Sequence, residues 1–160
     1  FHRVFTIEGT AYHPSEPVVH RLTMVNSENG GPLIDQIDRH MMPLRRLRKM
    51  ELIEGEYTIT DEVGTIPTPG HTPGHQSIVI SSQGEKAIIA GDVLHSKVQV
   101  HEPSWCAGVD IDKALSASSR EGLLELAEAD GSVVAAGHFH PSENMGKIVR
   151  SDGRRYWQGL

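Results

Sequence analysis

The stretch that most restricts how this chain can fold runs from Thr65 to Ser96, T-I-P-T-P-G-H-T-P-G-H-Q-S-I-V-I-S-S-Q-G-E-K-A-I-I-A-G-D-V-L-H-S. Two short runs rich in β-branched and aliphatic residues, 76–81 and 86–90, flank Ser82-Gln83-Gly84-Glu85, the pattern of a β-hairpin. Pro69-Gly70-His71-Thr72-Pro73-Gly74-His75 precedes the first run, and Gly91-Asp92 follows the second. In an antiparallel pair those two ends lie side by side, which brings His71 or His75 toward Asp92 across a gap of about twenty residues in sequence. A neutral imidazole and a carboxylate on stiff Pro/Gly loops are the donors that a borderline divalent metal prefers.

A second segment repeats this logic further along. Residues 132–136, Ser-Val-Val-Ala-Ala, are apolar enough for a buried strand, and they end at Gly137-His138. A strand followed at its carboxyl end by a metal-binding residue thus occurs twice, at Asp92 and at His138. Either His71 or His75 can be the donor on its loop, with the other orienting that loop. His140 completes an H-x-H pair with His138, but Pro141-Ser142-Glu143 follows it, and it is read as a bystander.

These residues resemble a family. P-T-P-G-H-T-P-G-H-Q-S, A-G-D-V-L-H-S and A-A-G-H-F-H-P occur in the order and spacing of the later metal-binding motifs of the metallo-β-lactamase superfamily. Within it, the chain looks most like the branch holding quorum-quenching lactonases and methyl parathion hydrolase. The resemblance covers roughly residue 55 to the C-terminus. It implies an α/β chain, the later half of an αβ/βα sandwich with mixed, largely antiparallel strands and flanking helices. It also implies His71, Asp92 and His138 as metal ligands, with Asp92 bridging two zinc ions. His95 falls where that branch places a side chain near the reacting carbonyl or phosphoryl oxygen, so Asp92 and His95 are the expected catalytic residues. The implied activity is hydrolysis of a lactone, ester or phosphotriester by metal-bound hydroxide.

The departure matters as much as the match. The family opens its metal site with H-x-H-x-D-H, and no such string occurs in the 160 residues. The expectation is therefore a partial domain over 1–160, with a helical and loop insert at 1–50 and the later metal motifs at 51–160. Its parent would be a zinc-dependent hydrolase, and the chain alone would be inactive. The alternative is a non-catalytic fragment or binding module that keeps the scaffold without a competent dimetal site.

Composition closes off other classes. A formal charge of −6 and a pI near 5.9 argue against a nucleic-acid partner. Cys106 is the sole cysteine, which excludes an internal disulfide and a thiolate zinc cluster. No apolar run approaches a membrane span and no signal peptide is visible, so a cytoplasmic protein is expected, and the resemblance implies a small-molecule substrate. Strands lost from the sandwich would expose apolar sheet, and self-association or pairing with the missing N-terminal half follows as an expectation.

The remaining segments are read from periodicity. Weak alternation predicts a strand at 3–8, a loop at 13–17, and a strand or short helix at 18–25. Leu33, Ile34, Ile37, Met41, Leu44 and Leu47 recur at helical spacing, with Pro43 opening a second helical piece. Arg45, Arg46, Arg48 and Lys49 read as a solvated helix face. Short strands are expected at 52–53, 57–60 and 63–66, and a further strand at 97–101. A helix follows from Asp110 to about Ala129, capped by Asp112 and stopped by Asp130-Gly131, with Ala114, Leu115, Leu123, Leu124, Leu126 and Ala127 inward. The chain closes in a hairpin around Ser151-Asp152-Gly153.

Overall fold

The structure is a computed structural model that describes residues 42–49 and 53–160. The strands expected at 3–8 and 18–25, the loop at 13–17 and the helical spacing before Met42 lie outside the described residues. Helix α1 (Met42–Arg46) carries Pro43 in its first turn, where a missing amide proton costs nothing. Arg45, Arg46, Arg48 and Lys49 are all exposed, as expected of a solvated face.

Seven strands follow: β1 (Tyr57–Thr58), β2 (Val63–Pro67), β3 (Gln76–Ser82), β4 (Glu85–Ile89), β5 (Val133–Ala135), β6 (Met145–Ser151) and β7 (Arg154–Gly159). They form one sheet in sequence order, antiparallel throughout except for the parallel pairing of β4 with β5. The β3–β4 hairpin turns through Gln83 and Gly84, both at positive φ, with Ser82 opposite Glu85. The closing hairpin turns through Asp152 and Gly153, also at positive φ. The parallel pair requires a long crossover, supplied by a 3-10 turn (Gly91–Val93), helix α2 (Val98–His101) and helix α3 (Lys113–Asp130).

Helix α3 begins where Asp112 accepts a hydrogen bond from Leu115 N and ends at Gly131 in the left-handed conformation, φ 62°. Its buried stripe is Ser116, Arg120, Leu123, Leu124 and Ala127. The inward face expected from apolar spacing is correct only in the last three turns. Ala114 and Leu115 face solvent, and the first half of the helix packs through a serine and an arginine instead. The strand expected at 97–101 is also replaced, by α2. The side chain of Gln99 accepts hydrogen bonds from His95 N and Ser96 N, while Gln99 N and Val100 N donate to Ser96 O and Lys97 O, so local turn bonds win over the two-residue alternation of Val98 and Val100.

The core joins Ile88, Val134 and Ile148 of the sheet to Val100, Leu123, Leu124 and Ala127 of the helices, with Ala90, Val93, Leu94, Ala136 and Phe139 at the carboxyl ends of β4 and β5. Trp157 packs on it edge-on to Phe139, ring centroids 4.8 Å apart, and donates Nε1–H to Glu143 O. The opposite face of the sheet carries Ile89 and Met145, 42% and 49% exposed. Among the described residues no helix is long and apolar enough to cross a membrane.

Arg120 is the unusual member of this core, fully buried at 0%. Its Nε–H donates to Val93 O at 2.8 Å, Nη1 donates to Pro103 O at 2.6 Å and Trp105 O at 3.1 Å, and Nη2 reaches Ser116 Oγ at 3.0 Å and Asp110 Oδ2 at 3.4 Å. One guanidinium therefore ties the turn after β4, the 103–105 loop and the start of α3. At the other end of α3, Glu128 bonds both Arg150 of β6 and Arg155 of β7, which holds its carboxyl down to about 2.

Two outcomes follow. Arg120→Ala removes the charge partner of buried Asp110 and the side-chain donor to the Val93 and Pro103 carbonyls, and urea denaturation should show a loss of about 3–5 kcal/mol. Glu128 has a depressed folded pKa, so its contribution to stability is complete above the ordinary glutamate range and is lost as pH falls toward about 2. The stability difference between wild type and Glu128→Gln should accordingly be constant above about pH 5 and shrink in acid, as read by denaturation at a series of pH values.

Candidate metal centre

The three expected ligands converge. Asp92 lies in the 3-10 turn at the end of β4, His71 on the loop before β3, and His138 just past β5, so adjacent strand ends deliver all three. His138 Nε2 stands 2.6 Å from Asp92 Oδ1, and His71 Nε2 stands 3.6 Å from Asp92 Oδ2. The Asp92 carboxylate is thus flanked by one imidazole on each oxygen, and of the two the hairpin pattern anticipates the approach of His71. Burial raises its pKa, but the His138 hydrogen bond, then the charges of His71 and His138, outweigh this and leave it below the usual carboxylate value.

His95 joins the group. Its ring stacks on His138 with centroids 4.5 Å apart and lies 5.0 Å from the His71 ring. Burial first, then the neighbouring His138 and His71, push its pKa below the ordinary histidine value, against opposition from Asp110 and Asp92. His95 is therefore a neutral imidazole at neutral pH. His140 stays apart, bonded through Nδ1 to Ser142 Oγ at 2.8 Å and exposed. Trp105 is 59% exposed, and Cys106 Sγ points to the Lys113 and Ser104 carbonyls.

The His71 loop is held from two sides. Ile111 N donates to His71 O at 3.2 Å, Asp112 N donates to Gly70 O at 2.9 Å, and Ser119 Oγ donates to Pro69 O at 2.6 Å. Gly70 has φ 131° and sits so close to α3 that a Cβ there would stand 2.1 Å from Ser116 N. This approach is the reason for glycine at that position.

The sequence reading missed Asp110, taken there only as the start of a helix. Its side chain is fully buried and accepts from His71 Nδ1 at 2.9 Å, Ala107 N at 3.0 Å and Ser116 Oγ at 3.0 Å. Burial raises its pKa, and the bonds from His71, Ser116 and Ala107 together with the Arg120 charge bring it below the usual value. An anion at Asp110 fixes the proton of His71 on Nδ1 and turns Nε2 toward Asp92, the arrangement a metal-binding histidine needs. An aspartate two residues before a helix cap carries no separate pattern in sequence, so only the fold reveals it.

The donor set fits a divalent cation. Asp92, His95 and His138 each offer an atom within 4.8 Å of the others, as do His71, His95 and Asp110. The buried Nδ1 of His95 meets no hydrogen-bond partner among the described residues. Imidazole nitrogens and carboxylate oxygens with no thiolate are suited to zinc and similar ions.

Comparison with known proteins agrees with the geometry. The sequence profile described as Metallo-beta-lactamase superfamily matches residues 25–138, and the chain belongs to that superfamily. An N-acyl homoserine lactonase from a Bacillus sp. is 34% identical over 99 residues, covering 61% of this chain and 39% of the relative. N-acyl homoserine lactonase AiiA from Bacillus thuringiensis subsp. kurstaki is 33% identical over the same length and coverage. The chain thus spans about two fifths of the length of these curated relatives. Among solved structures, hydrolase AbOPH of the beta lactamase superfamily superposes with a TM-score of 0.69 at 24% identity, covering 79% of this chain and 44% of that one. AidC, a dizinc quorum-quenching lactonase in complex with a product, superposes with a TM-score of 0.63 at 21% identity, covering 78% and 46%. These two likenesses establish the fold.

Gly70→Ala forces a methyl group into the α3 backbone at a positive φ, and the loop must lift away. Thermal and urea unfolding should show a loss of more than about 1 kcal/mol, with amide resonances of His71 and Ser116 shifting together in two-dimensional NMR.

Proposed function

We propose that this chain carries the later metal-binding half of a metal-dependent hydrolase acting on a small lactone, ester or phosphotriester. The observation that carries the reading is the Asp92 carboxylate set between His71 Nε2 and His138 Nε2 on adjacent strand ends. In this reading His71, Asp92 and His138 would hold zinc. The chemistry such ions supply when bound is Lewis acidity, which polarises a carbonyl or phosphoryl oxygen and acidifies water. His95, neutral and stacked beside His138, is placed to donate a hydrogen bond to the substrate oxygen, and with Asp92 it forms the catalytic pair. The names of the Bacillus relatives make a lactone the first substrate class to test.

One feature of the sequence favours a second reading. The 160 residues contain no H-x-H-x-D-H string, which supports a module that keeps the scaffold and holds at most one ion. Zinc stoichiometry separates the two. Elemental mass spectrometry after zinc loading and exhaustive dialysis of the chain mixed with a polypeptide carrying an H-x-H-x-D-H segment should return close to two ions and restored hydrolysis for the hydrolase reading, and one ion or none without hydrolysis for the module. Asp92→Ala should abolish bound zinc, and in the two-ion case also the hydrolysis of an N-acyl lactone followed by acid release. Full zinc content in Asp92→Ala would overturn the ligand assignment.

A further inference from the structure

His75 is 2% exposed, takes no place among the ligands above, and lies at the centre of a closed ring of hydrogen bonds. Asp92 N donates to His75 Nε2 at 2.9 Å. His75 Nδ1 stands 2.8 Å from Thr68 Oγ1, Thr68 Oγ1 stands 2.9 Å from Ser77 Oγ, and Ser77 Oγ donates to Ala90 O at 3.1 Å. Thr68 and Ser77 are 4% and 0% exposed. The ring begins at the amide of Asp92 and returns to the carbonyl of Ala90, and so encloses the Gly91 turn.

The two ends fix the direction of every proton. A backbone amide can only donate and a backbone carbonyl can only accept. Nε2 of His75 must therefore be bare, and the single ring proton sits on Nδ1 and is given to Thr68. The Thr68 hydroxyl then donates to Ser77, because the Ser77 proton is already directed to Ala90. No member can reverse without orphaning a buried group, which costs more than an ordinary hydrogen bond returns. Gly91 makes the approach possible, since at φ 60° a Cβ there would lie 2.6 Å from His75 Nε2.

We propose that His75, with Thr68 and Ser77, is a positioning residue that locks the Gly91–Asp92 turn and so aims the Asp92 carboxylate, through a neutral Nδ1–H tautomer held by a one-way hydrogen-bond ring. The inference rests on Asp92 being a ligand only for its consequence in metal affinity. The tautomer and the ring belong to the protein without metal.

The test has two arms. Long-range proton–nitrogen spectra of the metal-free, 15N-labelled chain should show His75 protonated at Nδ1 and bare at Nε2; a proton on Nε2 overturns the proposal. Thr68→Val removes the acceptor that holds the tautomer while keeping the side-chain shape. It should leave the chain folded, speed hydrogen exchange at the Asp92 amide, and weaken cobalt(II) binding about 10–100-fold, the usual effect of losing a partner behind a metal ligand. His75→Gln can accept and donate with the same polarity and should retain most of the affinity that His75→Leu loses. Unchanged cobalt affinity in both Thr68→Val and His75→Leu overturns the proposal. Wild-type cobalt binding in Asp92→Ala would instead overturn the ligand reading and leave the tautomer result to stand by itself.

Discussion

The arrangement depends on a tight turn at the carboxyl end of β4, where Gly91 at positive φ allows the His75 ring against the backbone and sends Asp92 back toward the strand ends. Antiparallel pairing of β3 with β4, Ile78 opposite Ile89, brings the loop before β3 beside that turn. Parallel pairing of β5 with β4, Ile89 opposite Ala135, brings His138 beside it from the other side. The metal centre is in this sense a property of sheet topology: three strand ends, three donor side chains, and one turn around which they gather.

Much of this was legible from residues. Gly and Pro punctuation located the β3–β4 and β6–β7 hairpins, and Asp112 and Gly131 marked the limits of α3, because caps and turns are governed by local backbone chemistry that a sequence displays openly. Asp92 and His138 stand out because each follows an apolar run, and the family motifs single out His71 from the two histidines on the loop before β3. What stayed hidden was long-range. Asp110 and His71 meet across thirty-nine positions, and Arg120 reaches carbonyls of Val93, Pro103 and Trp105 on two other segments. An arginine in a helix with outward neighbours reads as surface, and nothing in its spacing shows that loop carbonyls surround it. The 97–101 segment differs for a related reason: alternating valines favour a strand, yet the Gln99 side chain bonds back to the amides of His95 and Ser96 and holds the chain in a helical turn.

The two best-held of these candidate donors are held differently. His71 is fixed by an anion, Asp110, itself satisfied by Ala107, Ser116 and Arg120. Asp92 is fixed through its own amide by a neutral ring. His138 shows neither device: its side chain is 48% exposed, and Asp92 is the bonding partner found for it among the described residues. A centre with two rigid donors and one looser one can take up an ion without first straining the scaffold, since the adjustment falls on the exposed imidazole.

Arg120 gives this centre a particular relation to the rest of the molecule. The same helix that closes the core through Leu123, Leu124 and Ala127 also holds Asp110 through Ser116 and Arg120, and Asp110 holds His71. Local opening of the donor loop therefore requires loosening α3, and loosening α3 uncovers the core. The centre and the hydrophobic interior belong to one cooperative unit, so the donors stay poised until the fold itself gives way and do not fray in advance of it.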